Sequence, residues 1–134
     1  MPTLNIILNK MKKHEAKYQI EFNQYLREKK IYGFFELKYC ELDYFPFSKI
    51  ETVQYEGLQA TEKNGLVWKL SDVDMRPKPC DCFSIPPLAS YLVIKFRDAF
   101  YMIRFNEIVE LRYIGRISIT KLEAEKLAEK IIKI

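Results

Sequence analysis

The chain has 134 residues, three cysteines and a formal net charge of +4. That length fits one domain around one core, a 49% hydrophobic content speaks against disorder, and no apolar run reaches the roughly 18–20 residues of a membrane span. The opening MPTLNIILNKMKK puts apolar residues ahead of the basic cluster, the reverse of a secretory signal, and the odd cysteine count with Cys80 and Cys82 nearly adjacent argues for a reducing compartment. The expectation is a cytoplasmic protein without membrane association; the positive charge is compatible with a phosphate-rich partner but does not establish one.

In chain order, residues 14–30 are expected to be helical. Met11, Tyr18, Phe22, Tyr25 and Lys29 fall on one stripe with Leu26 beside it, and Gly33 ends the segment. Residues 34–40 (FFELKYC) read as a strand, with Phe34, Glu36, Lys38 and Cys40 on one face and Phe35, Leu37 and Tyr39 on the other. A second helix is expected over 49–62. Ser48 and Glu51 have capping-box spacing, Ile50, Val53, Gly57 and Leu58 make its apolar face, and Asn64-Gly65 is the stop. Residues 66–71 read as a strand, followed by the polar loop VDMRPKP, the short apolar stretch CDCFSI and Pro86-Pro87. A hairpin over 91–96 and 100–105 comes next. A last helix opens on the Thr120–Glu123 capping box, with Leu122, Leu127, Ile131 and Ile132 along its apolar side. This order points to a single α/β domain with a mixed β-sheet flanked by helices.

Four positions carry chemistry. Glu36 and Lys38 put opposite charges on one face of a strand otherwise built from core residues, which demands a partner or a metal; a salt bridge at a sheet rim is the plainer reading. Asp81, between two cysteines and ahead of Phe83, is an acid at the mouth of an apolar strand, or else a turn cap. Glu15 lies near the Tyr18–Phe22 stripe and is expected to face inward, with Glu21 at the margin. Gln54 falls between Ile50 and Leu58 on the inward side of the second helix, where its amide needs partners. A zinc site from Cys40, Cys80, Cys82 and His14 lacks the usual paired spacing, so buried free cysteines are the better reading. Lysines 10, 12, 13 and 17, and Arg27, Lys29 and Lys30, form basic clusters suited either to solvent or to phosphates.

Together, a helix acid, a strand acid, an E-x-K strand and a following helix with an inward glutamine resemble the PD-(D/E)xK nuclease superfamily, and more closely the small archaeal and phage Holliday-junction resolvases. FPFSKIETVQYEGL is similar to the family's helix after the E-x-K strand. VWKLSD with KPCDCF resembles the strand pair leading to its Asp, and YLVIKF with FYMIRF its closing strands, so the likeness covers about residues 14–105. The resemblance implies a restriction-endonuclease-like fold and Mg²⁺-dependent cleavage of four-way DNA junctions, in host cytoplasm if the origin is a phage. Glu15, Glu36 and Asp81 would hold the metal, with Mn²⁺ able to substitute, Lys38 would assist the attacking water, and Gln54 would orient it. Lys12, Lys13, Lys17, Lys69 and Lys78 would touch DNA. A symmetric homodimer and no small-molecule cofactor are also implied.

The sequence departs from that family in order: E-x-K precedes the Asp, and the slot after Asp81 reads Val93-Ile94-Lys95, with no acid. Either the strand–helix unit has moved forward as a local permutation, giving an altered strand order, or the site has degenerated. Retention of ELK, the following helix and Gln54 as one block favours permutation. Permutation predicts Asp81, Glu36 and Lys38 on adjacent strands with Glu15 reaching in. The alternative function is a catalytically inactive nucleic-acid-binding module of the same fold, and a third is an interaction protein with an aromatic surface.

Overall fold

The computed structural model describes residues 4–69 and 80–133, with side chains from residue 14 onward. In chain order the elements are α1 (Leu4–Lys29), β1 (Phe34–Tyr39), β2 (Tyr44–Pro46), a 3₁₀ turn (Phe47–Lys49), α2 (Thr52–Asn64), β3 (Leu66–Lys69), β4 (Cys82–Ile85), β5 (Ser90–Lys95), β6 (Phe100–Arg104), α3 (Phe105–Tyr113), β7 (Ser118–Thr120), α4 (Lys121–Leu127) and β8 (Lys130–Ile132). Strands β1, β5, β6 and β8 make a mixed sheet in that order, while β2–β7 and β3–β4 are separate two-stranded ribbons. β1 and β5 are parallel, which requires a long crossover; α2 and the β3–β4 ribbon occupy it. β5–β6 and β6–β8 are antiparallel. The expected α/β class with a mixed sheet flanked by helices is therefore what the chain forms. Among the described residues no helix is long and apolar enough to cross a membrane.

Every residue of β5 is buried, as a strand covered on both faces requires. On one face α1 lays Tyr18, Phe22, Tyr25 and Leu26 against Leu37, Val93, Phe100 and Met102. On the other, Leu58 of α2 and Phe105 and Ile108 of α3 pack with Leu92, Ile94, Tyr101 and Ile103. The alternation expected for β1 holds. Phe34 and Cys40 join the α2-side core and Phe35 and Leu37 the α1-side core, so Glu36 and Lys38 project toward α2.

Several boundaries differ from the sequence reading. α1 ends at Lys29, not near Gly33: Lys30 takes a left-handed φ of 54° and the Ile31 N–H donates to the Leu26 carbonyl at 3.0 Å, a Schellman-type end. Gly33 serves β1 instead. A Cβ there would lie 2.8 Å from the Ala89 carbonyl oxygen, which accepts from the Phe34 N–H at 2.9 Å. The N-cap of α2 is Glu51, not Ser48, which belongs to the 3₁₀ turn. The expected final helix stops at Leu127, because Ile131 and Ile132 pair with Tyr101 and Phe100 as β8 and give the β6 edge its backbone partners. Helix α3 was not anticipated; it buries Phe105 and Ile108 at helical spacing. Cys40 is buried as expected, but Cys80 and Cys82 are exposed, because their ribbon lies outside the four-stranded sheet. Positions 70 and 71 of the expected strand and the loop after them fall outside the described residues.

Candidate functional site

Among the described residues β5 is the strand paired with β1, so the Glu36-Leu37-Lys38 tripeptide sits at one end of the strand order of the main sheet. Lys38 Nζ lies 3.4 Å from Glu36 Oε1, with the two side chains 14% and 25% exposed. Gln54 Nε2 donates to the same oxygen at 2.8 Å. Burial pushes the Glu36 carboxyl above its ordinary range. Lys38, by charge and hydrogen bond, pulls it back, and the negative charges of Glu15 and Glu51 add to the rise; the net direction is up. Partial burial makes this ion pair more than a surface decoration, because solvent screens it less than an exposed one.

Gln54 is oriented by the start of its own helix. Glu51 and Gln54 form the capping box of α2, and Gln54 Oε1 accepts from the Glu51 N–H at 3.2 Å. An amide oxygen bound to a backbone donor leaves the NH₂ to point the other way, and it points at Glu36. The local device that starts α2 thus also holds the strand carboxylate.

The remaining expected site residues are placed differently. Asp81 is exposed and precedes β4, which pairs with β3 and not with β1. The strand actually beside β1 is β5, where Glu36 sits opposite the apolar Leu92. The expectation of Asp81 and Glu36 on adjacent strands is therefore corrected: the chain puts β5 next to β1, and the Asp81 segment leaves the sheet as a ribbon. Glu15 is exposed, not inward-facing. It lies on α1, which packs on the face of the sheet opposite to Glu36, yet its charge is felt at Glu36. Among the described residues no three His, Cys, Asp or Glu side chains form a group that could hold a metal ion, so the expected three-carboxylate set Glu15, Glu36 and Asp81 is not assembled. Lys17 and Lys69 are exposed on α1 and β3. Lys12 and Lys13 lie in α1 with their side chains outside the described residues, as is the whole of Lys78.

Of the expected site residues, Glu36, Lys38 and Gln54 meet in the structure, and Glu51, which was not among them, joins through the α2 capping box. The signal for Glu51 was present, since Glu51 and Gln54 have the same spacing as the Ser48–Glu51 pair chosen instead. Beside this cluster, a groove of about 380 Å³ runs between β1 and α2. No family model, curated protein or solved structure matches the chain.

Proposed function

We propose that this chain is a metal-dependent, structure-selective DNA endonuclease, with four-way junctions as the substrate that the family resemblance implies. The observation that carries the reading is the Glu36–Lys38–Gln54 cluster: a half-buried carboxylate on a sheet edge, with a cation at 3.4 Å and an oriented amide at 2.8 Å. Mg²⁺ is commonly held through one or two carboxylates, with water and substrate phosphate completing its shell. Glu36 fits that role, because burial and the charges of Glu15 and Glu51 already work against its negative charge and a cation there would relieve them.

When bound, such a metal polarises the phosphate and makes its water more acidic. The chain's own groups supply the rest. Lys38 sets a positive charge where negative charge develops on the phosphate, and Gln54 fixes the Glu36 rotamer so that its second oxygen stays available. Two cut strands at a four-way junction call for two sites related by a twofold axis, hence a symmetric dimer. The exposed Tyr113 at the end of α3, with Ile114 and Ile117 beyond it, offers apolar surface for that contact, and sedimentation at working concentration tests it.

One observation favours the inactive DNA-binding module instead, namely the unassembled acid set. Cleavage separates the two readings. The nuclease cuts four-way, duplex or single-stranded DNA in Mg²⁺ and stops in EDTA, whereas the inactive module binds DNA in gel shifts and cuts none of the three.

A further inference from the structure

Resting on the endonuclease reading, we propose that the groove between β1 and α2 receives one unpaired nucleotide of the strand being cut, with the bare backbone at Gly57 as part of its wall. The groove is lined by Gly33, Phe34, Phe35, Glu36, Gln54, Gly57, Leu58 and Thr61. Its volume of about 380 Å³ falls in the range of small-ligand sites and is enough for a nucleoside. Phe34, Phe35 and Leu58 give it apolar walls suited to a base and a deoxyribose. None of the lining residues is a lysine or arginine, so it is not built to grip a phosphate backbone. Glu36 and Gln54 stand within it, which puts the sugar–base portion of a strand beside the groups that would meet its phosphate.

Gly57 gives the second, independent observation. It lies inside α2, where glycine weakens a helix relative to alanine. Packing does not demand it, since a Cβ built there meets nothing within 4 Å. The hydroxyl of Thr61, one turn on, donates to the Gly57 and Leu58 carbonyls at 2.8 and 3.2 Å, so its donor is taken up by the helix backbone. The absent side chain leaves the groove open toward solvent. A nucleotide can enter only after it leaves its base pair, which costs least where DNA is already mismatched, branched or single-stranded.

The test compares wild type, Gly57→Ala and Gly57→Leu on a paired duplex and on the same duplex carrying one unpaired nucleotide, in Mg²⁺. Wild type is expected to cut the second substrate at least tenfold faster. Gly57→Ala is expected to melt at or above the wild-type temperature, because the helix gains and nothing clashes, and to lose a few-fold in cleavage. Gly57→Leu fills the groove and is expected to lose at least tenfold, mainly through a raised KM. Cleavage by both variants at the wild-type rate overturns the groove assignment alone, as does equal cutting of the two substrates. A wild-type chain that cuts no DNA brings down the endonuclease reading and this inference with it.

Discussion

Glu36 and Asp81 are both acids embedded in apolar sequence, and the fold treats them in opposite ways. Glu36 lies in a strand whose neighbour β5 is buried throughout, so its carboxylate is partly desolvated and is met by Lys38 and Gln54. Asp81 lies at the start of a four-residue strand in a two-stranded ribbon, flanked by exposed Cys80, Cys82 and Phe83. An apolar neighbourhood in sequence becomes an apolar environment in space only when the segment enters a sheet with both faces covered. A two-stranded ribbon outside the main sheet leaves much of its surface in solvent, so Asp81 stays exposed and is not desolvated as Glu36 is.

The largest effects should separate these two acids. Glu36→Gln removes the charge but keeps the shape, and cleavage is expected to fall at least about 100-fold, the scale at which single catalytic groups act. Asp81→Asn is expected to cost less, measured on the same junction substrate in Mg²⁺. Equal losses would break the comparison and place Asp81 beside Glu36 during the reaction. Stability gives an independent reading. An acid whose folded pKa lies above its unfolded value of 4.5 stabilises the fold most when protonated, and that stability is lost as pH rises through the folded pKa. The melting temperature of Glu36→Gln relative to wild type should therefore rise between pH 4 and pH 7.

Local sequence rules read this site well and its surroundings poorly, for a physical reason. The period-2 alternation of FFELKYC and the inward position of Gln54 depend on short-range geometry, and both hold in the structure. VWKL and CFSI do pair, as their likeness to a strand pair implies, but the placement of Asp81 depends on whether that pair joins the main sheet, and CDCFSI carries no signal that it stands apart from β1. The chain end shows the same limit. Thr120 and Glu123 start α4 as their spacing implies, but the apolar Ile131 and Ile132 fit a helix face and a strand equally well, and the free edge of β6 decides for the strand.

Gln54→Glu sharpens the comparison at a smaller scale. The new carboxylate still accepts from the Glu51 N–H, so α2 should keep its cap and the variant its fold. It can no longer donate to Glu36, and it places a like charge where a donor stood at 2.8 Å. The Glu36 carboxyl, already raised by burial, should rise further. The acid limb of the pH–rate profile should then move to higher pH, with a modest loss at pH 8. An unmoved limb would mean that Glu36 does not govern it.

The smallest effect comes from a third carboxylate, whose setting is the reverse of Glu36. Glu123 accepts from Arg116 Nη1 and Nη2 at 2.7 and 2.6 Å. It also accepts from the Thr120 N–H at 3.1 Å, as the return half of the α4 capping box. The Arg116 hydrogen bonds, helped by the Thr120 backbone, bring its carboxyl down to about 2. A depressed acid stabilises the fold above its unfolded pKa of 4.5, and the contribution is lost as pH falls toward 2. Glu123 is partly open to solvent, so screening trims the ion pair, and a glutamine at 123 can still accept from the Thr120 N–H and keep the capping box, so the charge on the Arg116 fork is what the variant removes. Glu123→Gln is thus expected to melt a few degrees below wild type at pH 7, with the gap closing as the pH drops from 4.5 toward 2. Glu36→Gln should show the opposite trend over the carboxylate range, because burial penalises its charge where the Arg116 fork rewards that of Glu123. Parallel trends in the two variants would mean that Glu36 is an ordinary ion-paired acid at a sheet rim, held by Lys38 as Glu123 is by Arg116, and the cluster would lose the property that suits it to a metal.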